Sequence, residues 1–174
     1  MVAPIVRNVV LTGFMGTGKS TVGRALADTL NFTFVDTDSI IEERHGPIPE
    51  IFASAGEEVF RGHEAAVAAE LAQRRGLVIA TGGRMMLDER NADALGATGV
   101  IVCLTATLEE LLDRLLVDDQ RRARPLLQSD NPAQRVADLL AERAEQYGQF
   151  PQVDTTGRPV DEIVDSIVEL LQPS

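Results

Sequence analysis

Short apolar runs alternate along the chain with longer stretches in which apolar positions recur every three or four residues. Ile5 to Thr12 is branched and apolar and ends at a glycine-rich turn, the pattern of a buried strand feeding a loop. Val22, Ala25, Leu26 and Leu30 then fall at helical spacing. A short strand is expected at Thr33 to Val35, leading into the acidic turn Asp36-Thr37-Asp38. Phe60, Val67 and Leu71 line one face of a helix beginning near Glu57, and Leu108, Leu111, Leu112 and Leu115 mark another. Leu77 to Ala80 and Val100 to Leu104 are two further runs of buried-strand type.

Asn131-Pro132 is a helix start, a capping side chain followed by proline at the first helical position. Val136, Leu139, Leu140 and Tyr147 share a face beyond it, and Val153 sits on a last short strand. Pro159 opens a closing helix carrying Ile163, Val164, Ile167 and Leu171, with Asp161 and Glu162 suited to its positive end. Alternating strands and helices argue for an α/β domain with a parallel sheet. The segment from Asp118 to Pro132 is polar, rich in arginine and too long for a simple turn, as a mobile flap would be.

The 174 residues suit one domain, 1–174, with a well-covered core. A net charge of -11 argues against nucleic acid or an anionic membrane as main partner, so an anionic ligand needs a local basic cluster. Cys103 is the single cysteine, which excludes an internal disulfide and fits a reducing compartment. With only two histidines, a zinc site is not expected. Neither a signal peptide nor a membrane span is evident, and the expected location is the cytoplasm. The absence of a long exposed apolar stripe favours a monomer.

Gly13-Phe14-Met15-Gly16-Thr17-Gly18-Lys19-Ser20 matches G-x-x-x-x-G-K-[ST] at every fixed position. The glycines let backbone N–H groups turn inward onto phosphate oxygens, and the following helix presents its positive N-terminus. Lys19 would reach the β- and γ-phosphates, and the Ser20 hydroxyl would bind Mg²⁺. A branched strand before the loop and an amphipathic helix after it complete the context. Nucleoside triphosphate binding follows.

No N-K-x-D motif is present to read a guanine base, and neither Leu77–Ala80 nor Val100–Leu104 runs into a magnesium-site acid. The acids instead end the second strand. Asp36 and Asp38, two apart, would share a side if extended, one toward metal and one toward substrate; either could equally cap a helix. Arg61, between Glu57 and Glu64, reads as a surface ion pair or a ligand contact. Arg143 lies on the apolar stripe and either snorkels outward or enters a pocket. Arg124, before Pro125-Leu126-Leu127, is either a solvated loop residue or a flap cation that neutralises a transferring phosphoryl group.

Together the G-F-M-G-T-G-K-S-T loop, F-V-D-T-D, V-F-R-G-H-E, A-T-G-G, R-P-L-L and E-R-x-x-x-Y, in this order from Gly13 to Tyr147, resemble the shikimate kinase family. The resemblance implies a three-layer α/β/α, P-loop NTPase fold with a five-stranded parallel sheet in order 2-3-1-4-5. It also implies a substrate-binding region at about 38–66 and a lid at about 118–131. The implied reaction is ATP-dependent phosphorylation of the 3-hydroxyl of shikimate, with ATP and Mg²⁺ as cofactors. By position, Gly13, Gly16, Thr17, Gly18, Lys19, Ser20 and Thr21 would hold the phosphates, and Ser20 and Asp36 the metal. Asp38 would hold the acceptor hydroxyl and take its proton. Arg61 and Arg143 would grip the carboxylate, with Gly82 and Gly83 close to the ring. Arg124 would arrive from the lid, and Arg114 and Pro159 would flank adenine.

The family usually has a third glycine where this chain has Arg84. If that glycine serves a positive φ, a side chain there costs about 1–2 kcal/mol. If not, Arg84 could pair with an acid outside the pocket, add an anion contact or alter substrate choice. A kinase of the same build for another hydroxy acid or polyol, such as gluconate, and a catalytically silent nucleotide-binding module are the alternative readings.

Overall fold

The structure is a computed structural model that describes residues 7–116 and 130–173. Five parallel strands form one sheet in the order β2-β3-β1-β4-β5, as the resemblance implies. They are β1 (Asn8–Thr12), β2 (Thr33–Asp36), β3 (Leu77–Ala80), β4 (Gly99–Thr105) and β5 (Gln152–Asp154). The helices are α1 (Lys19–Leu30), α2 (Thr37–His45), α3 (Ile48–Ala55), α4 (Glu57–Leu71), α5 (Glu89–Gly96), α6 (Leu108–Leu115), α7 (Pro132–Gly148) and α8 (Val160–Leu170), with a 3-10 turn at Met85–Leu87.

The two-residue period of a strand sends alternate side chains to opposite faces, and both faces of this sheet are covered. Val9 and Leu11 of β1, Val78 of β3, and Val102 and Leu104 of β4 pack on α1 and α8 through Val22, Leu26, Ile163 and Ile167. Val10 and Ile79 face the other way, onto Ile41 of α2, Phe60 and Leu71 of α4, and Leu95 of α5. Cys103 of β4 joins that second layer where Leu111 and Leu115 of α6 meet Val136 and Leu139 of α7. Three layers result because apolar strands buried on both sides need helices on both sides.

Several boundaries differ from the expected ones. β1 begins at Asn8 rather than Ile5; residues 5 and 6 lie outside the described residues. Asn8 is buried but satisfied, donating from Nδ2 to the Arg74 carbonyl (2.9 Å) and accepting the Leu77 N–H at Oδ1 (3.0 Å). It thereby ties the entry of β1 to that of β3. The turn after β2 is helical at once, so Asp36 and Asp38 do not lie on one extended segment: Asp36 ends the strand and Asp38 sits in the first turn of α2. The expected lid lies outside the described residues except for its last two positions, and Arg124 is outside them too.

Candidate active site

At the C-terminal end of β1 the chain turns on Gly13, at φ 131°, where a Cβ would collide with the Leu104 carbonyl oxygen. No other residue fits that approach. Gly16 and Gly18 also have positive φ, and Gly18 is the N-cap of α1, so the loop delivers its N–H groups to the start of a helix. Lys19 Nζ lies back over the loop, donating to the carbonyls of Gly13 (2.6 Å) and Phe14 (3.1 Å). Thr17 is buried and its hydroxyl donates to the Phe14 carbonyl (2.8 Å). Thr155, just past β5, anchors the loop from the far side by donating to the Thr17 carbonyl (3.1 Å).

Asp36 caps α2 and also meets the phosphate loop. Its Oδ1 accepts the Ser39 N–H (3.1 Å) as cap of α2, while Oδ2 accepts the Ser20 hydroxyl (3.1 Å). Two hard oxygen donors from different elements thus meet beside the phosphate loop, a set suited to Mg²⁺. Two residues on, Asp38 faces Gly82, where a Cβ would come within 2.5 Å of Asp38 Oδ1. A side chain at position 82 would push that carboxylate aside. The Gly82 N–H donates to Thr37 Oγ1 (3.0 Å), which fixes the loop after β3 against the start of α2.

Arg61 makes the ion pairs and also lines the cleft. Its Nε and Nη2 lie 3.4 and 3.3 Å from Glu57 Oε1, and its Nη1 lies 2.5 Å from Glu64 Oε1. Glu64 is buried, and desolvation pushes its carboxyl above the usual range despite the Arg61 guanidinium. Arg143 does not snorkel: it is buried, 5.5 Å from the Phe14 ring centroid, with Nη1 beside Gly83. Tyr147, one turn along α7, donates its hydroxyl to the Gly83 carbonyl, and burial raises its pKa although Arg143 works against that rise. Arg114 Nη1 donates to the Gly16 carbonyl (2.9 Å), while Nη2 reaches Glu110 (2.7 Å) and the Thr155 carbonyl (3.2 Å).

Residues 16–20, Asp36, Asp38, Arg61, Gly82, Gly83, Arg114 and Arg143 all line one continuous cleft of about 1570 Å³, as does Thr21. Gly13 and Pro159 do not line it. Gly13 lies beneath the loop, and exposed Pro159 caps α8 between two lining residues, Arg158 and Val160. Arg84 has φ -115° and ψ -3°, an ordinary conformation, so no positive-φ penalty arises. Its partner Glu57 (3.2 Å) lines the cleft rather than lying outside it. Thr37, Thr155 and Tyr147 carry no chemical motif of their own. Thr37 lies within F-V-D-T-D and Tyr147 ends E-R-x-x-x-Y, whereas Thr155 had no signal.

The shikimate kinase family model matches residues 15–172. A shikimate kinase from Halorhodospira halophila is 47% identical over 167 residues, covering 94% of this chain and 93% of its own length. One from Geobacter metallireducens is 43% identical over 169 residues, covering 96% and 93%. A solved shikimate kinase from Acinetobacter baumannii, in complex with shikimate, superposes with a TM-score of 0.88 at 37% identity, over 97% of this chain and 94% of that one. With a phosphate loop, an acid and two arginines converging on one cleft and relatives of this closeness along nearly its whole length, the chain belongs to the shikimate kinase family.

Proposed function

We propose that the chain transfers the γ-phosphoryl group of ATP in line to the 3-hydroxyl of shikimate, giving shikimate 3-phosphate and ADP. The observation that carries this reading is that Lys19, Ser20, Asp38, Arg61 and Arg143 all line the same cleft. Phosphoryl transfer asks a protein mainly for positioning and charge neutralisation, and both are available there.

Gly13, Gly16, Thr17, Gly18, Lys19, Ser20 and Thr21 would form the phosphate cradle, Lys19 exchanging the Gly13 and Phe14 carbonyls for phosphate oxygens. Ser20 and Asp36 would hold Mg²⁺, which supplies charge neutralisation on the phosphates. Arg61 and Arg143 would grip the shikimate carboxylate, Gly82 and Gly83 would floor the ring, and Arg114 and Pro159 would border adenine. Asp38 would hold the 3-hydroxyl and accept its proton as the oxygen–phosphorus bond forms. The electron pair of the broken β–γ bridge leaves on ADP. Arg124, which lies outside the described residues, would come from a lid at about 118–131 and face the transferring group; the region 38–66 would move with the acceptor. A lone, buried thiol and ATP chemistry fit the cytoplasm. Exposed large apolar side chains, spread over α3, α4, α6 and α8, fit a monomer.

ADP release measured with and without shikimate tests the reading, and strong stimulation is expected. Stimulation by gluconate alone would move the activity to another acceptor, and no stimulation would leave a silent nucleotide binder. Asp38→Asn should lower kcat by about 100-fold or more while ATP affinity stays within a few-fold. Near-normal turnover would remove Asp38 from the chemistry.

A further inference from the structure

Every nitrogen of the Arg61 guanidinium is already engaged by protein carboxylates. Nη1 holds Glu64, and the Nε–Nη2 edge, the side best shaped for a planar carboxylate, is turned to Glu57 Oε1. A substrate carboxylate that takes this Nε–Nη2 edge displaces Glu57, and the displaced charge must go somewhere. Left beside the new carboxylate, it would repel it at a few ångströms.

The same Glu57 oxygen also accepts from Arg84 Nη1 at 3.2 Å. Arg84 and Arg61 thus share one oxygen of Glu57, and both arginines line the cleft. Its backbone conformation is open to any residue, so the backbone alone does not single out what stands at position 84. Glu57 sits at the start of α4 with 56% of its side chain exposed, which leaves it room to swing.

We propose that Arg84 is a positioning residue that takes over Glu57 when the substrate carboxylate occupies Arg61. The exchange keeps ion pairing constant: Arg61 trades Glu57 for the substrate, and Glu57 keeps Arg84. This inference rests on the assignment of Arg61 to the acceptor carboxylate.

A double-mutant cycle on the steady-state kinetics of the full chain tests it. Arg84→Ala should raise the KM for shikimate by about 3- to 5-fold, the upper end of the scale for an exposed charge pair. Its kcat should stay within about twofold and its KM for ATP should not change. In a Glu57→Gln background the same substitution should shift the shikimate KM by less than about twofold, because no displaced charge remains. Arg84→Lys should restore most of the loss. An equal rise in both backgrounds would mean that Arg84 touches substrate directly and would overturn the exchange, as would an unchanged KM in Arg84→Ala alone. Arg61→Ala separates the two levels: if it leaves the shikimate KM unchanged, the carboxylate grip itself fails, and the exchange with it. Both side chains of the Arg84–Glu57 pair are more than half exposed, so these variants should fold, and thermal melts check that they do.

Discussion

Glu64 is buried with only 2% of its side chain exposed, against an Arg61 that keeps 31%. Removing the carboxylate from water costs more than the guanidinium returns, and its pKa lies above the ordinary 4.5. A group that binds its proton more tightly folded than unfolded favours the native state while protonated. That contribution is complete below about pH 4.5 and fades as pH climbs through the raised value. Glu64→Gln abolishes this dependence. The stability of the unmodified protein minus that of the variant should therefore fall as pH rises from about 4.5, as urea melts of both at several pH values would read. A difference that rises with pH would reverse the assignment. The Arg61–Glu64 pair holds Arg61 from below, which leaves Glu57 as the partner able to change.

At the scale of elements, α7 carries two residues of the site on one stripe. Arg143 and Tyr147 are four apart, hence neighbours on one helical face, and both are buried. The Tyr147 hydroxyl donates to the Gly83 carbonyl, and the loop after β3 thereby becomes attached to α7 as well as to α2 through Thr37. Tyr147→Phe keeps the ring but leaves that carbonyl without its donor. A stability loss of about 1–3 kcal/mol is expected in urea melts. The shikimate KM should rise by about 3- to 10-fold, since the loop and Arg143 lose a shared anchor. Loss of stability with an unchanged KM would reduce Tyr147 to a packing residue.

For the molecule as a whole, strand order decides where the site is. β1 lies between β3 and β4, so the phosphate loop leaving β1 has the β3 loop on one side and the Thr105 end of β4 on the other. Under the proposed function both ligands would draw on residues from across the sheet and so bind only the folded chain. ATP or shikimate at about 100 times its Kd should add about 2.7 kcal/mol and raise Tm by about 5–10 °C in a chain of this size. No shift with shikimate at that concentration would argue against a preformed acceptor site. A net charge of -11 disfavours anions in general, so their binding would depend on the arginines that line the cleft.

Periodicity determined the alternation of strands and helices, because a two-residue and a 3.6-residue apolar repeat are properties of the chain itself. The loop from Gly13 to Ser20 was likewise legible, since each of its fixed positions answers to a local demand of phosphate and backbone. Short α2, α3 and α5 were not, being too brief and too irregular to show a period. Which reading of Asp36, Arg61 and Arg143 holds was beyond the sequence, as each choice depends on a partner far along the chain. Only tertiary structure could show that Asp36 both caps α2 and receives Ser20, or that Arg143 turns inward over Phe14. The surroundings of Arg84 were visible only there too. Its backbone needs no glycine, and its charge answers Glu57, because folding brings the loop after β3 against the start of α4.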